Sequence, residues 1–378
     1  MIVETRTARL RLTEPLRISR SVMAARDAVV LTVRHGGLSG SGEAVSSEHL
    51  GLPVELIHRQ FFSVQRKLES AANPEDAFDR LRSGSSDSLV PGLAPGVVAA
   101  VEAALLDLVG KRAGLPAHQL LGAPAVPAAT TARTIGITPP AGAAALAARL
   151  AAAGFTVLKV KAGSADPAED LARVEAVRIG APGARLLLDP NGAWTVEAAR
   201  TLIPRFADLG VEAVEQPIPP GTPDALADLA QSSPLPVIAD EDAVSFRDAV
   251  RLAGRVHGVN VKLAKCGGPS VALRICAALR GTGTDVMLGC LTASSLGIAP
   301  AVHLVDRARW VDLDGHLLLA HDPWQGIGGA DGTVRPSDRA GLGVHRVPDP
   351  TPDPGTDPAT DPATDARPGA RPDAGSRA

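Results

Sequence analysis

Five consecutive segments of the chain each place a short apolar run directly before one charged residue. They are TVLKVK (156–161), RLLLD (185–189), EAVE (212–215), PVIAD (236–240) and VNVK (259–262). Runs of this length that are rich in valine, isoleucine and leucine are typical of buried β-strands. A helix-sized segment fills each gap between them, so the alternation predicts parallel strands joined by right-handed crossovers.

Three further runs extend this pattern on both sides. They are TARTIGI (131–137), DVMLG (285–289) and RWVDLD (309–314). The pattern therefore gives eight candidate strands at intervals of roughly 22–28 residues, which favours a closed barrel over an open sheet. The predicted fold class is α/β, with a (β/α) barrel as its larger part.

The N-terminal part of the chain has a different rhythm. Residues 2–12 and 27–34 alternate as two antiparallel strands, with the polar segment 17–26 predicted as the loop between them. Helical periodicity follows in three segments: 52–70, 74–83 and 94–114. Strands first and helices afterwards predict a small α+β domain.

Composition excludes several classes of function. The 378 residues carry 38 basic and 41 acidic side chains without a basic stripe, and tyrosine is absent, so a nucleic-acid partner is not expected. The three cysteines lack the spacing of a zinc site or a disulfide framework. No apolar run approaches the roughly 20 residues that span a bilayer, and no signal peptide is evident. We predict a cytoplasmic enzyme that acts on a small molecule and does not bind a membrane.

The residues that end the five strands are the candidate site. Lys161, Asp189, Glu215, Asp240 and Lys262 each close an apolar run. One such charge is typically a solvated loop residue. In a closed barrel, however, all carboxyl ends of the strands meet at one mouth, where active sites of barrel enzymes lie.

The three carboxylates predict a metal site. Asp189, Glu215 and Asp240 would repel one another unless a cation lay among them. Oxygen ligands without histidine or cysteine favour Mg²⁺.

The two lysines predict proton transfer next to a carboxylate. Removing a proton from such a carbon gives a doubly charged enediolate, which a divalent cation stabilises. Lys161 and Lys262 lie on opposite sides of the ring, so each faces one side of a substrate carbon. A base must be a neutral amine, and Lys159, on the same face of its strand as Lys161, disfavours the protonated form of Lys161.

These residues are similar to those of the enolase superfamily, muconate-lactonizing subgroup. The resemblance runs from residue 1 to about 346, through the motifs VEAALLDLVGKRAGLPAHQLLG, KVK, LLLDPNGAW, VEQP, IADED and VKLAKCGG. It implies a (β/α)7β barrel, an N-terminal capping domain and a homo-oligomer. It also implies that Asp189, Glu215 and Asp240 bind Mg²⁺, and that Lys161 and Lys262 are the acid/base pair.

On this basis we predict four parts of the chain. Residues 1–125 form the α+β capping domain and residues 126–325 the catalytic barrel. Residues 326–347 return to the capping domain. The rest, 348–378, is rich in proline, aspartate and threonine and is predicted to be disordered.

Within the subgroup the chain most resembles the dipeptide epimerases of the L-Ala-D/L-Glu type. VNVKLAKCGG is similar to their sixth-strand motif, and DLDG places Asp312 and Asp314 where they receive the α-ammonium group of a dipeptide. The resemblance implies a 1,1-proton transfer at the carbon next to the dipeptide carboxylate. Ala293 stands where acid-specific members often carry glutamate, which leaves the preferred dipeptide open.

Three other residues are candidates for supporting roles. Asn191 and Glu241 flank the metal ligands and are predicted to orient them. Arg20 lies, like Arg17, in the predicted loop that folds over the mouth in this family, where either arginine could meet an acidic side chain, and Arg20 is predicted to bind the substrate. For each of these three residues, and for Arg17, a solvated polar residue is the alternative.

Two other functions stay open at this point. One is another reaction of the superfamily: N-acylamino acid racemase, o-succinylbenzoate synthase or muconate cycloisomerase. The paired Asp312 and Asp314 disfavour these, since their substrates lack a free ammonium group. The other is a binding protein that keeps the barrel without catalysis, which the retained carboxylates and lysines disfavour.

Overall fold

A computed structural model of the chain describes residues 1–83 and 92–348. It begins with a three-stranded antiparallel sheet in the order β1-β2-β3. The strands are β1 (Ile2–Ile18), β2 (Ser21–His35) and β3 (Leu38–Val45). Almost all of the predicted tail 348–378 lies outside the described residues.

The loop predicted over 17–26 is wrong. β1 and β2 continue through it as a long hairpin, leaving only Ser19 and Arg20 as the turn. Pairing resumes at Leu16 after a break in register that follows Arg11. The carbonyl of Arg17 accepts a hydrogen bond from the Ile137 N–H at 2.8 Å, so a tertiary contact supports a segment whose own sequence is too polar to signal a strand.

Strand β3 is absent from the sequence-based prediction because it is rich in glycine. A Cβ atom at Gly40 would lie 2.1 Å from the Ala104 carbonyl oxygen, and one at Gly42 would lie 2.0 Å from that of Ala100. A helix therefore packs its backbone directly on this strand. Glycine lowers strand propensity but permits this approach.

Four helices complete the N-terminal domain. They are α1 (Val54–Ser70), α2 (Pro74–Ser83), α3 (Pro95–Ala113) and α4 (Ala117–Leu120). The three longer helices agree with the predicted segments, and α3 ends at Gly114 in the left-handed conformation. α3 is buried on nearly all sides because it lies between the cap sheet and the barrel. The short strand β4 (Ala129–Thr130) leads into the barrel.

The predicted barrel is confirmed. Its eight parallel strands are β5 (Arg133–Ile135), β6 (Val157–Lys161), β7 (Arg185–Asp189), β8 (Val211–Glu215), β9 (Val237–Ala239), β10 (Gly258–Lys262), β11 (Asp285–Gly289) and β12 (Trp310–Asp312). The connecting helices are α5 (Pro140–Ala152), α6 (Pro167–Gly180), α7 (Val196–Asp208), α8 (Pro223–Ser232), α9 (Phe246–Leu252), α10 (Leu263–Cys266), α11 (Pro269–Leu279) and α12 (Ser295–Val302).

The first and last barrel strands meet at a seam. The Ala132 N–H donates to the Val311 carbonyl at 2.8 Å, and the Leu313 N–H donates to Thr131 Oγ1 at 2.8 Å. These bonds bring β5 next to β12, at the opposite ends of the strand order. The strand order and the seven helical crossovers give the expected (β/α)7β architecture.

The C-terminal segment runs back to the N-terminal domain. Its strands are β13 (Trp324–Gln325), β14 (Thr333–Val334) and β15 (His345–Arg346). β13 pairs with β15, and β14 pairs with β4. The Ala117 N–H donates to the Gly341 carbonyl at 2.7 Å, and the Leu342 N–H donates to Asp107 at 2.9 Å. The exact domain boundaries stay predictions. No helix within 1–83 or 92–348 is long and apolar enough to cross a bilayer.

An apolar plug fills the lower part of the barrel. It contains one inward-facing side chain from or next to each of seven strands: Ala132, Val157, Leu187, Ala213, Ile238, Met287 and Trp310. Because inward-facing residues recur at every second position of a strand, the next layer toward the carboxyl ends is fixed by these residues.

Two buried carboxylates of the N-terminal domain anchor it to barrel helices. Glu43 accepts hydrogen bonds from the N–H and hydroxyl of Ser294, at 2.8 and 2.5 Å, at the start of α12. Glu102 accepts the same pair from Ser270 in the first turn of α11. The N-terminus of a helix favours a negative group, because its free N–H groups and the helix dipole are positive there. Burial, however, raises the pKa of Glu43 and of Glu102 to about 7, so the fold favours their protonated forms.

We expect this pair to make stability depend on pH. Because the folded pKa lies above the ordinary value near 4.5, the stabilisation is complete below that value and is lost as the pH rises toward 7. Urea unfolding of the Glu43→Gln and Glu102→Gln proteins should each show a shallower fall, by roughly 2–3 kcal/mol over this range.

The exposed Glu212, paired with Arg185 at 2.8 Å, provides the control for this series. Glu212→Gln should keep the wild-type pH slope. A wild-type slope in both buried variants would contradict the raised pKa values.

Candidate active site

The charged side chains of the mouth lie one inward step above the apolar plug. Lys159, Asp189, Glu215, Asp240 and Asp312 each follow a plug residue by two positions. All five are buried. The same alternation that fills the barrel with apolar groups therefore gathers these charges at the carboxyl ends of the strands.

Lys159 is at the centre of this group. Its ammonium lies 3.0 Å from Asp189 Oδ2, 2.6 Å from Glu215 Oε2 and 2.8 Å from Asp312 Oδ2. Burial opposes the charge of Lys159, but the three carboxylates outweigh it and raise the pKa of this amine well above its usual value. Lys159 therefore compensates the carboxylates as an ammonium in this structure.

Lys161 and Lys262 lie closer to the opening of the barrel than Lys159 does, and on opposite sides of it. Lys161 Nζ donates to Asp189 Oδ2 at 2.5 Å, and Lys262 Nζ donates to Asp240 Oδ2 at 2.7 Å. Their side chains are 11% and 13% exposed, against 2% for Lys159. β6 and β10 are four strands apart in the ring of eight, so the two amines reach the mouth from opposite directions.

The carboxylates differ in how well they are compensated. Burial raises the pKa of Asp189 and of Asp240, but the neighbouring lysines overcome it and hold both values well below the usual range. For Glu215, burial and the charges of Asp189 and Asp240 prevail and raise the pKa to about 7. Burial disfavours charge on Lys262, yet Asp240 and Glu215 raise its pKa. Without a further cation, the mouth thus keeps this amine protonated.

The donor set fits a hard divalent cation. Within residues 1–83 and 92–348, no three acidic, histidine or cysteine side chains are arranged so that they could hold a metal ion. In this arrangement the ammonium groups of Lys159, Lys161 and Lys262 lie against the carboxylates. Three buried carboxylates on neighbouring strands nevertheless supply oxygen ligands. Glu215 Oε2 lies near the Lys159 ammonium but lacks hydrogen-bond geometry. An additional positive charge would relieve its repulsion from Asp189 and Asp240.

Lys265 and Asn260 join the site although sequence reasoning did not single them out. Lys265 Nζ donates to Asp240 Oδ1 at 2.5 Å, to the Asp240 carbonyl at 2.7 Å and to the Asn260 carbonyl at 2.9 Å. Asn260 Nδ2 donates to Glu215 Oε1 at 2.7 Å. Asn260 lies two residues before Lys262, so strand alternation contained its signal. Lys265 lies in α10, where only the tertiary turn directs it back to Asp240.

The residues expected to orient the ligands lie beside them. The Asn191 N–H donates to Asp189 Oδ1 at 3.0 Å, and Asn191 takes a positive φ of 50° to do so. Gln216, also at positive φ, accepts the N–H of Asp240 at 3.0 Å. Such strained residues are common at functional sites. Gln216 is a further residue that the sequence prediction missed, although it lies in the VEQP motif.

Arg20 reaches the mouth from the tip of the β1–β2 hairpin. Its guanidinium donates to Glu241 Oε1 at 2.8 Å and to the Asn191 carbonyl at 3.1 Å. The structure thus brings Arg20, Asn191 and Glu241 together. The acidic partner of Arg20 in this structure is Glu241 of the protein itself, and the predicted contact of Arg20 with substrate stays a prediction.

Asp312 and Asp314 are both buried but have different partners. Asp312 Oδ2 accepts from Lys159, while its Oδ1 is buried without a hydrogen-bond partner. Asp314 lies beyond the end of β12, so strand alternation does not extend to it. Its Oδ2 accepts from the Thr134 N–H at 2.7 Å and from Arg133 Nη1 at 3.1 Å. Arg133 was also absent from the prediction.

Comparison with known proteins gives the family. Residues 2–122 match the mandelate racemase/muconate lactonizing enzyme N-terminal domain, and residues 142–349 match the enolase C-terminal domain-like family. The chain belongs to the enolase superfamily. The superfamily resemblance drawn from the strand-end residues is therefore confirmed.

Similar members of the superfamily include characterised epimerases. A hydrophobic dipeptide epimerase of Roseobacter litoralis is 34% identical over 91% of this chain and 98% of its own. An L-Ala-D/L-Glu epimerase of Bacteroides thetaiotaomicron is 32% identical over 84% of this chain and 81% of its own.

A solved structure of similar shape is the dipeptide epimerase of Enterococcus faecalis, complexed with Mg and L-Leu-L-Tyr. It has a TM-score of 0.83 and 29% identity, and the match covers 91% of this chain and 98% of that one. The dipeptide epimerase of Methylococcus capsulatus, complexed with Mg and L-Arg-D-Lys, has a TM-score of 0.80 and 32% identity, covering 90% and 98%.

We expect Lys265 to be structurally essential at the mouth. Lys265→Met removes a buried ammonium that bonds three oxygen atoms and should lower the free energy of unfolding by about 3 kcal/mol. Arg255→Met, which breaks a surface ion pair of 2.7 Å with Asp224, should cost less than about 1 kcal/mol. Urea unfolding of both variants tests this. Equal losses would show that Lys265 is not needed to compensate Asp240.

Proposed function

We propose that the protein is a Mg²⁺-dependent dipeptide epimerase that inverts the carbon next to the dipeptide carboxylate. The observation that carries this proposal is the pair Lys161 and Lys262, which end strands on opposite sides of a mouth lined by buried carboxylates. Two amines on opposite sides of one carbon are what inversion of its configuration requires. The substrates of the similar epimerases support the choice of a dipeptide.

Asp189, Glu215 and Asp240 are the residues that would hold the cation. When bound, Mg²⁺ supplies positive charge next to the substrate carboxylate and thereby stabilises the enediolate. Asn191 and Asn260 hold one oxygen each of Asp189 and Glu215, so the remaining oxygens are fixed in direction.

Proton transfer is assigned to the two more accessible amines, those of Lys161 and Lys262. One lysine, as a neutral amine, takes the α-proton from one face of the substrate carbon, and the opposite lysine, as an ammonium, returns a proton to the other face. The roles exchange in the reverse direction. Lys159 is more deeply buried than both amines and its ammonium lies against three carboxylates, so we assign it the compensation of carboxylate charge near Lys161.

Asp312 is the residue we assign to the dipeptide ammonium. Its Oδ1 is a buried acceptor without a partner, and an N–H⁺ donor would satisfy it. The carboxylate of Asp312 favours a charged ammonium over the neutral amide N–H of an acylated substrate. A cytoplasmic location and a homo-oligomeric assembly stay predictions for this chain.

The metal assignment predicts a loss of affinity in a conservative variant. Glu215→Gln removes one of three carboxylates and should weaken Mg²⁺ binding by at least about tenfold, the loss of roughly 1.4 kcal/mol. Isothermal titration of Mg²⁺ into both proteins measures this. Glu212→Gln, on the outer face of the same strand, is the control. Undiminished affinity in Glu215→Gln would refute the assignment.

The two-base mechanism predicts opposite stereochemical preferences in D₂O. Lys161→Ala and Lys262→Ala should each abolish net epimerisation, while each retains exchange of the α-proton of one stereoisomer through its surviving amine. NMR of L,L- and L,D-dipeptides incubated with Mg²⁺ measures deuterium uptake. Lys159→Ala should slow turnover without inverting a preference.

Two outcomes would exclude this mechanism. One is the same preference in both alanine variants, and the other is full epimerisation by either. Titration of Mg²⁺ into each variant verifies that the metal site is intact. Absence of exchange in the wild-type protein, across a mixed dipeptide pool, would exclude the proposed function itself.

The ammonium assignment predicts a loss specific to free dipeptides. Asp312→Asn should lower kcat/KM for these substrates. The loss should correspond to about 2–4 kcal/mol of transition-state stabilisation, because a desolvated ammonium loses its charged partner. The loss for N-acetylated dipeptides should be smaller. Steady-state kinetics with both series tests this, and equal losses would contradict the assignment.

A further inference from the structure

Arg133 lies on the first barrel strand and holds Asp314, the second aspartate of the DLDG motif. From β5 its Nη1 donates to Asp314 Oδ2 at 3.1 Å and its Nη2 donates to the Leu317 carbonyl at 2.8 Å. The same Asp314 oxygen also accepts the Thr134 N–H at 2.7 Å. The Arg133 side chain is 16% exposed and that of Asp314 is 5% exposed, so solvent screens this pair only weakly.

The two aspartates of the DLDG motif therefore present different charges to a ligand. Asp314 is paired with a fixed guanidinium, which offsets its negative charge. Asp312 shares one oxygen with Lys159 and leaves the other, Oδ1, buried without a partner. Asp312 lies next to the end of β11, where its carbonyl accepts a hydrogen bond from Cys290 Sγ at 3.4 Å.

We propose that Arg133 is a specificity-determining residue that weakens the selection for a free amino terminus. By neutralising Asp314 it leaves recognition of the ammonium to Asp312 and makes the enzyme more tolerant of dipeptides whose amine is acylated. Arg133 acts through Asp314 and is in this sense a positioning residue. The inference rests on the proposed epimerase function.

A purely structural role must be separated from this one. Arg133 also spans the seam where β5 meets β12, next to the bonds from Ala132 to Val311 and from Leu313 to Thr131. Weakening the seam would lower activity toward all substrates alike. A change in the charge of the subsite would instead alter the ratio of activities toward free and acylated substrates.

The experiment compares kcat/KM for a free dipeptide and its N-acetyl derivative. Arg133→Gln leaves Asp314 charged and unpaired, so the free-to-acetylated ratio should rise by about tenfold, as expected for one unscreened charge several ångströms from the ammonium. Arg133→Lys keeps the charge and should leave the ratio within about twofold of wild type. Thr131→Val weakens the same seam without changing charge and should leave the ratio unchanged.

Asp314→Asn tests the opposite change, because it removes the negative charge of the pair and keeps the positive one. It leaves Arg133 unopposed, so the ratio should fall below that of wild type. The double variant Arg133→Gln/Asp314→Asn contains a neutral pair and should return the ratio close to the wild-type value, even if Arg133→Gln alone folds poorly.

The outcomes separate this inference from the proposed function. If the wild-type protein epimerises dipeptides but Arg133→Gln and Thr131→Val both leave the ratio unchanged, Arg133 serves only the seam and the inference is overturned. A ratio in the double variant that remains far from wild type also overturns it. If the wild-type protein exchanges no α-proton of either series, the proposed function fails, and this inference fails with it.

Discussion

The structure depends on the compensation of like charges at the carboxyl end of one barrel. Inward-facing positions recur at every second residue, so strands that fill the barrel with Leu187, Ala213 and Ile238 must next present Asp189, Glu215 and Asp240 to one another. Three buried carboxylates cannot remain there alone. The buried ammonium groups of Lys159 and Lys265 hold this cluster together by pairing with Glu215 and with Asp240.

This arrangement separates two deeply buried lysines, Lys159 and Lys265, from the two lysines that we propose as proton-transfer groups, Lys161 and Lys262. Lys159 and Lys161 are only two residues apart, yet one is buried among three carboxylates and the other extends to the mouth. Lys262 and Lys265 repeat this division on the opposite side, with Lys265 bonded to backbone and carboxylate together. Lys161 and Lys262 therefore each have a buried neighbour that compensates the same aspartate. Under the proposed mechanism, proton transfer at the mouth need not disturb the charges that maintain the fold.

The N-terminal domain is tied to the same region by backbone proximity and by buried carboxylates. The glycines of β3 let α3 lie directly on the sheet, and Glu43 and Glu102 attach the domain to the first turns of α12 and α11. The hairpin tip then carries Arg20 to Glu241 at the mouth. The N-terminal domain thus contributes a side chain to the surface over the barrel.

The sequence alone determined the barrel and its principal charges, because both follow from a local pattern of period two within short apolar runs. TVLKVK and RLLLD already contain the inward alternation that places Lys159, Lys161 and Asp189. The sequence could not reveal β3, whose glycines have low strand propensity and are needed only because α3 approaches them. Nor could it show that Arg133 holds Asp314 or that Lys265 reaches Asp240. Those pairs join residues of separate elements, and only closure of the barrel and the turn after β10 bring them into contact.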